Sequence, residues 1–358
     1  MRTAWIPTLF LPGPVDVHPD VLAAASHPMI GHRTPEAAAL LNELDLGLRP
    51  WLGVETPVYA LTCSATLAME ACVRNLVRKK LLVVNAGVFA DRWRITAQAC
   101  GREVVSLDAP LATGATPEAL DEALRTHDVE AVALVHVETG TGVAAPMREL
   151  LDVCARHPNV FVMMDAVTSV GAMPVLGSRC DAVFTASQKA LGMPPGLTFL
   201  ALSARAIAVS KSMEGRGLYT DFSRIDRFHS QGGSPFTPAL PVFFAAIAQV
   251  RRLTTEGLAA RFALHVAKRD RWLTLASTLF PHCPVFAPPC VSVAVHTLPP
   301  TQKPADLIDA LRAKTGITLA PGIGALESNT FRVGLMGDTT VADIERVANA
   351  VGATLAEA

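Results

Sequence analysis

Polar side chains follow several apolar segments of this sequence that have the composition of buried β-strands. Asn85, Glu138, Asp165 and Lys189 each come at, or within a few residues after, the end of such a segment. In an open α/β sheet, ligands bind beyond the carboxyl ends of the strands, so these groups are expected to meet at one edge. An amine beside a carboxylate suits an aldehyde cofactor of the pyridoxal phosphate type. The amine forms a Schiff base, and the carboxylate keeps the ring nitrogen protonated.

The elements that would position these groups lie between about Leu81 and Ser203. Short apolar runs alternate there with amphipathic stretches, and Thr116 with Pro117 is typical of a helix start. Strands that are apolar throughout and alternate with helices favour an α/β fold with a mostly parallel sheet, flanked by helices on both faces. The predicted strands are 81–84, 103–107, 131–137, 160–164, 181–185 and 197–201, and the predicted helices are 90–100, 117–127 and 147–156.

A second pattern begins near Pro241. Residues 241–275 predict one or two long helices. A strand, a helix, a strand and a last helix are then predicted at 291–295, 305–314, 330–335 and 341–355. This predicts a smaller α+β C-terminal domain. We place the large domain, with an N-terminal substrate loop, at residues 1–250 and the small domain at residues 251–358.

Composition narrows the class of protein. The chain has 358 residues and a net charge of -1, and 18% of its residues are charged. No basic face is visible, which argues against a nucleic-acid partner. No apolar stretch reaches the ~18 residues of a membrane helix, and no secretory signal is evident. The seven cysteines are scattered and lack C-x-x-C spacing, which favours reduced thiols, a cytoplasmic location and no metal site.

Two motifs carry a resemblance to a known family. Residues 165–171 read D-A-V-T-S-V-G, and residues 186–196 read A-S-Q-K-A-L-G-M-P-P-G. Together with residues 12–14, 136–143 and 331–337, they resemble the class V, fold type I aminotransferases of the alanine–glyoxylate / serine–pyruvate type. The resemblance covers nearly the whole chain. It implies pyridoxal 5'-phosphate as cofactor and a homodimer with its site at the subunit interface.

The resemblance also implies roles around the cofactor ring. Lys189 is the Schiff-base lysine and Asp165 the partner of the pyridine nitrogen, and both are catalytic. Thr139 lies near the 3-hydroxyl edge of the ring. Phe89 and Val167 pack on its two faces, although an ordinary core position stays an alternative for Phe89.

The cofactor phosphate needs hydrogen-bond donors. Residues 64–66 precede an amphipathic stretch, and free N–H groups at a helix start bind phosphate. The alanine of this run stands where the family commonly has glycine, a change that is tolerated only if its φ is not positive. The expected phosphate-binding residues are Ser64, Ala65 and Thr66, the side chain of Gln188, and Thr237 from the neighbouring subunit.

The substrate carboxylate requires a cation. Arg332 is our candidate, because a guanidinium matches a carboxylate with two hydrogen bonds. On its own it would more often be a surface arginine in a salt bridge, and the surrounding F-R-V-G-L-M-G motif reverses that preference in favour of the substrate role. Gly13, in the N-terminal P-G-P segment, is the second expected substrate-binding residue.

The resulting prediction is an aminotransferase that moves the amino group of alanine or serine to glyoxylate or pyruvate by a ping-pong mechanism. A phosphoserine or 2-aminoethylphosphonate aminotransferase is the nearest alternative, and it would need extra cationic groups for a second anion. A cysteine desulfurase-like lyase is disfavoured because Gln188 stands where those enzymes usually have histidine. A non-catalytic relative of the fold would be expected to lose Lys189, Asp165 or Arg332, and all three are present.

Overall fold

A seven-stranded sheet forms the centre of the structure, a computed structural model that describes residues 6–357. Five neighbouring strands run parallel, as the apolar segments predicted. The strands of this sheet are β1 (Val58–Thr62), β2 (Lys80–Asn85), β3 (Glu103–Asp108), β4 (Ala131–Val135), β7 (Phe161–Asp165), β8 (Ala182–Ala186) and β9 (Leu197–Leu202), in the order β1-β9-β8-β7-β4-β2-β3. A small hairpin of β5 (Val137–Glu138) and β6 (Val143–Ala144) follows β4.

The edge of the sheet departs from the parallel pattern. β9 pairs antiparallel with β8, and β1 pairs antiparallel with β9, with Ala60 opposite Phe199. No pattern in the sequence predicted β1. The mixed edge leaves the shared carboxyl edge of β7 and β8 intact.

Helices cover both faces of the sheet. On one face, α2, α5, α6 and α9 bury their apolar sides against the strands. On the other face, α3, α4, α7 and α8 do the same. These helices, with the short α1, are α1 (Pro19–Ala24), α2 (Pro35–Leu52), α3 (Ala65–Leu76), α4 (Val88–Ala99), α5 (Pro117–Thr126), α6 (Met147–Cys154), α7 (Ala204–Ser210), α8 (Phe222–Ser230) and α9 (Leu240–Glu256). The predicted α/β fold with a helix-flanked, mostly parallel sheet is confirmed.

The C-terminal part of the chain forms the predicted α+β unit. Its three-stranded antiparallel sheet has the order β10-β12-β11, and it packs with three helices around a separate apolar core. Its elements are α10 (Leu258–Leu279), β10 (Val293–Thr297), α11 (Pro304–Thr315), β11 (Ala320–Pro321), β12 (Thr330–Gly334) and α12 (Val341–Ala356).

Two features bear on where the small unit begins. Helix α9 continues past residue 250 to Glu256, and Gly257, with φ of +81°, separates it from α10. The N-terminal segment also joins this unit, because Phe10 donates its N–H to the carbonyl of Thr318 and its ring is part of the same core. A division between residues 250 and 251 stays a prediction.

Candidate active site

A buried carboxylate and a buried amine lie at the carboxyl ends of neighbouring strands. Asp165 is the last residue of β7 and is 5% exposed, and Lys189 follows β8 and is 8% exposed. Burial raises the pKa of Asp165 to about 6, and burial lowers the pKa of Lys189 to about 8. The positive charge of Lys189 opposes the rise in the pKa of Asp165, and the negative charge of Asp165 opposes the fall in the pKa of Lys189. The two groups therefore interact electrostatically.

The N-terminal loop covers the amine. Lys189 Nζ donates a hydrogen bond to the carbonyl of Pro12. Gly13 has φ of +96°, and a Cβ at that position would lie 2.5 Å from Cδ of Lys189. Only glycine combines this backbone conformation with so close an approach. The expected substrate residue Gly13 therefore lies directly against Lys189.

Polar groups surround the same strand ends. The Thr139 hydroxyl lies 2.5 Å from the hydroxyl of Thr168, and both side chains are buried. The N–H of Val167 donates to one carboxylate oxygen of Asp165 over 2.8 Å. Thr168 was not singled out in the sequence analysis, although it stands inside the motif that begins with Asp165.

Arg332 reaches this edge from the small unit. It lies on β12 and is half-buried. Its Nε donates to the carbonyl of Pro321 over 2.8 Å, and its Nη1 lies 3.4 Å from the carbonyl oxygen of Thr139. Burial lowers the pKa of its guanidinium, and the charge of Glu138 opposes that shift. The carbonyls hold the cation in place, and no described carboxylate of residues 6–357 forms a salt bridge with it.

Phe89 lies near the amine of Lys189. Lys189 Nζ is 5.9 Å from the centroid of the Phe89 ring, and the guanidinium carbon of Arg92 is 4.7 Å from it. Both cations are within the range of attraction to an aromatic face. The ring is half-buried at the start of α4, which is not an ordinary core environment.

Glu138 is a structural partner that the sequence analysis left without a role. It is 3% exposed, and it accepts hydrogen bonds from the N–H groups of Phe89 (3.0 Å), Ala90 (3.1 Å) and Gly140 (3.0 Å). Burial raises the pKa of Glu138, and those three donors act against the rise. Its carboxylate therefore fixes the start of α4, with Phe89, to the segment that carries Thr139. Its position after a predicted strand, directly before Thr139, was the signal in the sequence.

The first turn of α3 presents the expected phosphate-binding residues. Ser64 is the N-cap, yet its side chain makes no capping hydrogen bond, and α3 begins at Ala65. Only glycines have a positive φ among the described residues, so an alanine at position 65 is unstrained. Thr198 of β9 donates to the carbonyl of Cys63 over 3.1 Å and anchors this turn to the sheet. Ser64 and Thr66 are exposed and Ala65 is half-buried.

Two expected phosphate ligands lie elsewhere on the chain. Gln188 precedes Lys189 and is half-buried, and its backbone carbonyl accepts from the N–H of Val15 over 3.2 Å. Thr237 lies in the loop between α8 and α9 and is exposed. The preceding Phe236 stacks on Tyr219 at 4.4 Å between ring centroids. The described contacts do not bring Thr237 to Lys189 of its own chain.

The large mixed sheet, the small α+β unit and the buried lysine at their junction define a fold type I enzyme. A sequence profile of the family Aminotransferase class-V matches residues 20–347. The chain belongs to the class V aminotransferase family and is an aminotransferase.

Known proteins of this family match almost the entire chain. Serine–glyoxylate aminotransferase of Methylorubrum extorquens is 27% identical over 348 residues, which cover 92% of this chain and 86% of the relative. The solved structure of an aspartate aminotransferase of subgroup IV from Thermus thermophilus is 31% identical, with a TM-score of 0.89 and coverage of 98% and 99% of the two chains. That of an alanine–glyoxylate aminotransferase from Nostoc sp. is 26% identical, with a TM-score of 0.93 and coverage of 99% and 96%.

Proposed function

We propose that this protein is a pyridoxal 5'-phosphate-dependent aminotransferase that moves the amino group of a small amino acid to glyoxylate or pyruvate by a ping-pong mechanism. The observation that carries the proposal is the buried Lys189 amine, coupled to Asp165, with Arg332 held beside Thr139. This set supplies an amine for the cofactor, a carboxylate for its ring and a cation for the substrate.

The residues present fit the proposed cofactor. Lys189 would hold its aldehyde carbon, Asp165 its ring nitrogen and Thr139 the hydroxyl edge of the ring. The Ser64 hydroxyl, which is not used as a cap, and the free N–H groups of α3 would hold the phosphate. When bound, the cofactor withdraws electrons from the amino acid carbon that loses its proton.

The side chains of this chain perform the remaining tasks. Arg332 would orient the substrate carboxylate. Lys189, once displaced by the substrate amine, would move the proton, and its pKa of about 8 leaves part of the amine neutral near pH 7. The loop around Pro12 would exclude water from the amine. Charged Asp165 would be stabilised when the ring nitrogen is protonated, because an opposite charge favours ionisation.

Small donors are favoured by two similar proteins, whose names specify serine or alanine with glyoxylate. Aspartate is the second candidate donor. Arg92 lies close enough to affect the pKa values of Asp165 and Lys189, so it is a second cation at the site. The similar structure from Thermus thermophilus is named as an aspartate aminotransferase.

We also propose a cytoplasmic homodimer in which Thr237 of each subunit completes the partner's phosphate site. The exposure of Thr237 and of Ser64 supports this arrangement, since both are free to be covered by a second copy. All seven cysteines are free thiols, which is usual in a reducing compartment. Within residues 6–357, no helix has the length and apolarity needed to cross a membrane.

The test is a visible absorption titration of the purified protein. We expect a band near ~410–430 nm, which is typical of lysine-bound pyridoxal. L-alanine, L-serine, L-aspartate, L-phosphoserine and 2-aminoethylphosphonate are then added separately, and the true donor bleaches the band. Glyoxylate or pyruvate should restore it, as a ping-pong cycle requires. A protein that stays colourless after incubation with pyridoxal phosphate, or a band that no donor changes, would contradict the proposal.

A further inference from the structure

Three buried polar side chains meet behind the loop that follows Lys189. Gln249 comes from α9, Arg261 from α10 and Asp338 from the segment after β12. Their exposed fractions are 0% for Gln249, 2% for Arg261 and 6% for the Asp338 side chain. We call these three residues the clamp. No motif in the sequence indicated a role for any of them.

The clamp is tied together by its own charges. Arg261 Nη2 lies 2.9 Å from Asp338 Oδ1, and Gln249 Nε2 donates to the same oxygen over 3.1 Å. A buried charge is costly unless it is paired and hydrogen-bonded, so these side chains hold one another in a single arrangement.

The clamp holds the two backbone carbonyls that directly follow Lys189. Arg261 Nη2 donates to the carbonyl of Ala190 over 2.9 Å, and Gln249 Nε2 donates to the carbonyl of Leu191 over 2.9 Å. The contact extends to Gly192, with φ of +72°, where a Cβ would lie 2.9 Å from Gln249 Nε2. A shift of this loop would break these two buried hydrogen bonds.

The clamp also joins the two parts of the site. Asp338 lies shortly after the strand that carries Arg332, and its carboxylate connects that strand to the lysine loop through Gln249 and Arg261. None of the three side chains has a described contact with the Lys189 amine itself. Their effect on that amine would pass through the backbone of residues 189–191.

We propose that Gln249, Arg261 and Asp338 are positioning residues that fix the backbone of Lys189 and thereby the location of its amine. The inference rests on the proposed role of Lys189 as the residue that binds the cofactor. A displacement of about 1 Å can cost a reaction ~100-fold in rate. Loosening the clamp therefore lowers kcat, while Arg332 still binds the substrate and KM changes little.

Two variants test the clamp, and a third variant serves as a control. Gln249→Met keeps the length of the side chain and removes its amide donor. Arg261→Lys keeps the charge and replaces the planar fork with a single ammonium, which cannot reproduce its geometry. Arg251→Met is the matched control, because Arg251 lies on the same helix, is largely exposed and bonds to Glu43 at 2.6 Å.

Each variant is measured in three ways. The first is its unfolding midpoint. The second is kcat and KM with the donor found by the absorption titration. The third is the rate at which trinitrobenzenesulfonate modifies Lys189 in the cofactor-free protein, followed by peptide mass spectrometry. The third measurement does not depend on catalysis, so it still tests the clamp if no donor is turned over and the proposed function fails.

We expect Gln249→Met and Arg261→Lys to lower kcat by roughly 10- to 100-fold with little change in KM. Modification of Lys189 should become faster, while that of the other lysines stays constant. Arg251→Met should match the parent protein in all three measurements. If Gln249→Met folds and leaves both kcat and Lys189 modification unchanged, the inference is wrong. It is also wrong if kcat falls only in proportion to lost folded protein. Should Arg261→Lys fail to fold, Gln249→Met decides alone.

Discussion

At the scale of single residues, the candidate site buries two ionisable groups where burial disfavours their charged forms. Asp165 and Lys189 are both almost completely buried. Burial raises the pKa of Asp165 and lowers that of Lys189, and each change favours the neutral form of the group. Such shifts cluster at functional sites, because a buried amine that is partly neutral near pH 7 can act as a nucleophile and as a base. The proposed cofactor would use both properties.

The pKa of Lys189 can be tested directly. In the cofactor-free protein, the pH dependence of Lys189 modification should have its midpoint near pH 8, because burial lowers this pKa to about 8. An exposed lysine should titrate at about pH 10.4. Asp165→Asn should move the midpoint further down, since the charge of Asp165 raises the pKa of Lys189. A midpoint that stays at the value of the exposed lysines would refute the assignment of a buried, active amine.

Arg332 is expected to bind the substrate rather than the cofactor. Its Nε and Nη1 are held by the carbonyls of Pro321 and Thr139, which leaves Nη2 available. Hydrogen bonds to a charged group contribute about 1.5–3 kcal/mol, so Arg332→Ala should raise KM for the amino acid by roughly 10- to 100-fold. The affinity for pyridoxal phosphate should stay within a small factor of the parent value. Equal losses of substrate and cofactor affinity would contradict this role.

At the scale of elements, the short turns after strands place most of the site. α3 begins immediately after β1, and its capping serine keeps a free hydroxyl, whereas the capping serine of α7, Ser203, accepts from the N–H of Ala206 over 3.1 Å. One serine is thus available to a ligand, and the other stabilises its helix.

The two capping serines give a matched pair of variants. Ser64→Ala should lower the affinity for pyridoxal phosphate by roughly tenfold and leave the free energy of unfolding nearly unchanged. Ser203→Ala should do the opposite, with a loss of about 1 kcal/mol of stability and unchanged cofactor affinity. Absorbance titration and urea unfolding provide the two readouts. A stability loss in Ser64→Ala equal to that in Ser203→Ala would show that Ser64 acts only as a helix cap.

The same elements show how far sequence reasoning reaches. Continuous apolar runs predicted β2, β4, β7, β8 and β9, because a strand buried on both faces has few polar positions. The edge strand β1 and the long helix α2 were missed. Val58–Thr62 is a short run whose pairing with β9 depends on residues about 140 positions away. Boundaries shifted by a few residues, as at α6, which ends at Cys154 rather than at residue 156.

The candidate site residues also divide into those that a local sequence motif predicts and those that it does not. Lys189, Asp165 and Arg332 lie in contiguous motifs and could be named from the sequence. Glu138 could be placed at a strand end, but its role and the clamp residues could not be predicted, because they depend on distant contacts between buried polar groups. No local pattern records that Arg261 bonds to the carbonyl of Ala190.

At the scale of the whole molecule, three of the residues proposed to bind the cofactor phosphate are exposed on the single chain. Thr237 is exposed on a loop beside the stacked Phe236 and Tyr219, and Ser64 and Thr66 are exposed at the start of α3. A twofold-symmetric dimer would bring the loop of one subunit to the helix start of its partner, and the same contact would occur twice. Each site would then contain Lys189 from one subunit and Thr237 from the other.

Hybrid dimers distinguish this arrangement from a site built within one subunit. Thr237→Ala alone should weaken the binding of pyridoxal phosphate, and Lys189→Ala alone should abolish transamination. When the two variants are unfolded together and refolded at equal concentration, half of the dimers are hybrids. Each hybrid has one site with native Lys189 and native Thr237, so about one quarter of all sites regain full cofactor affinity. Activity at low pyridoxal phosphate concentration measures them. If mixing restores nothing while native mass spectrometry shows that hybrids form, Thr237 does not act across the interface.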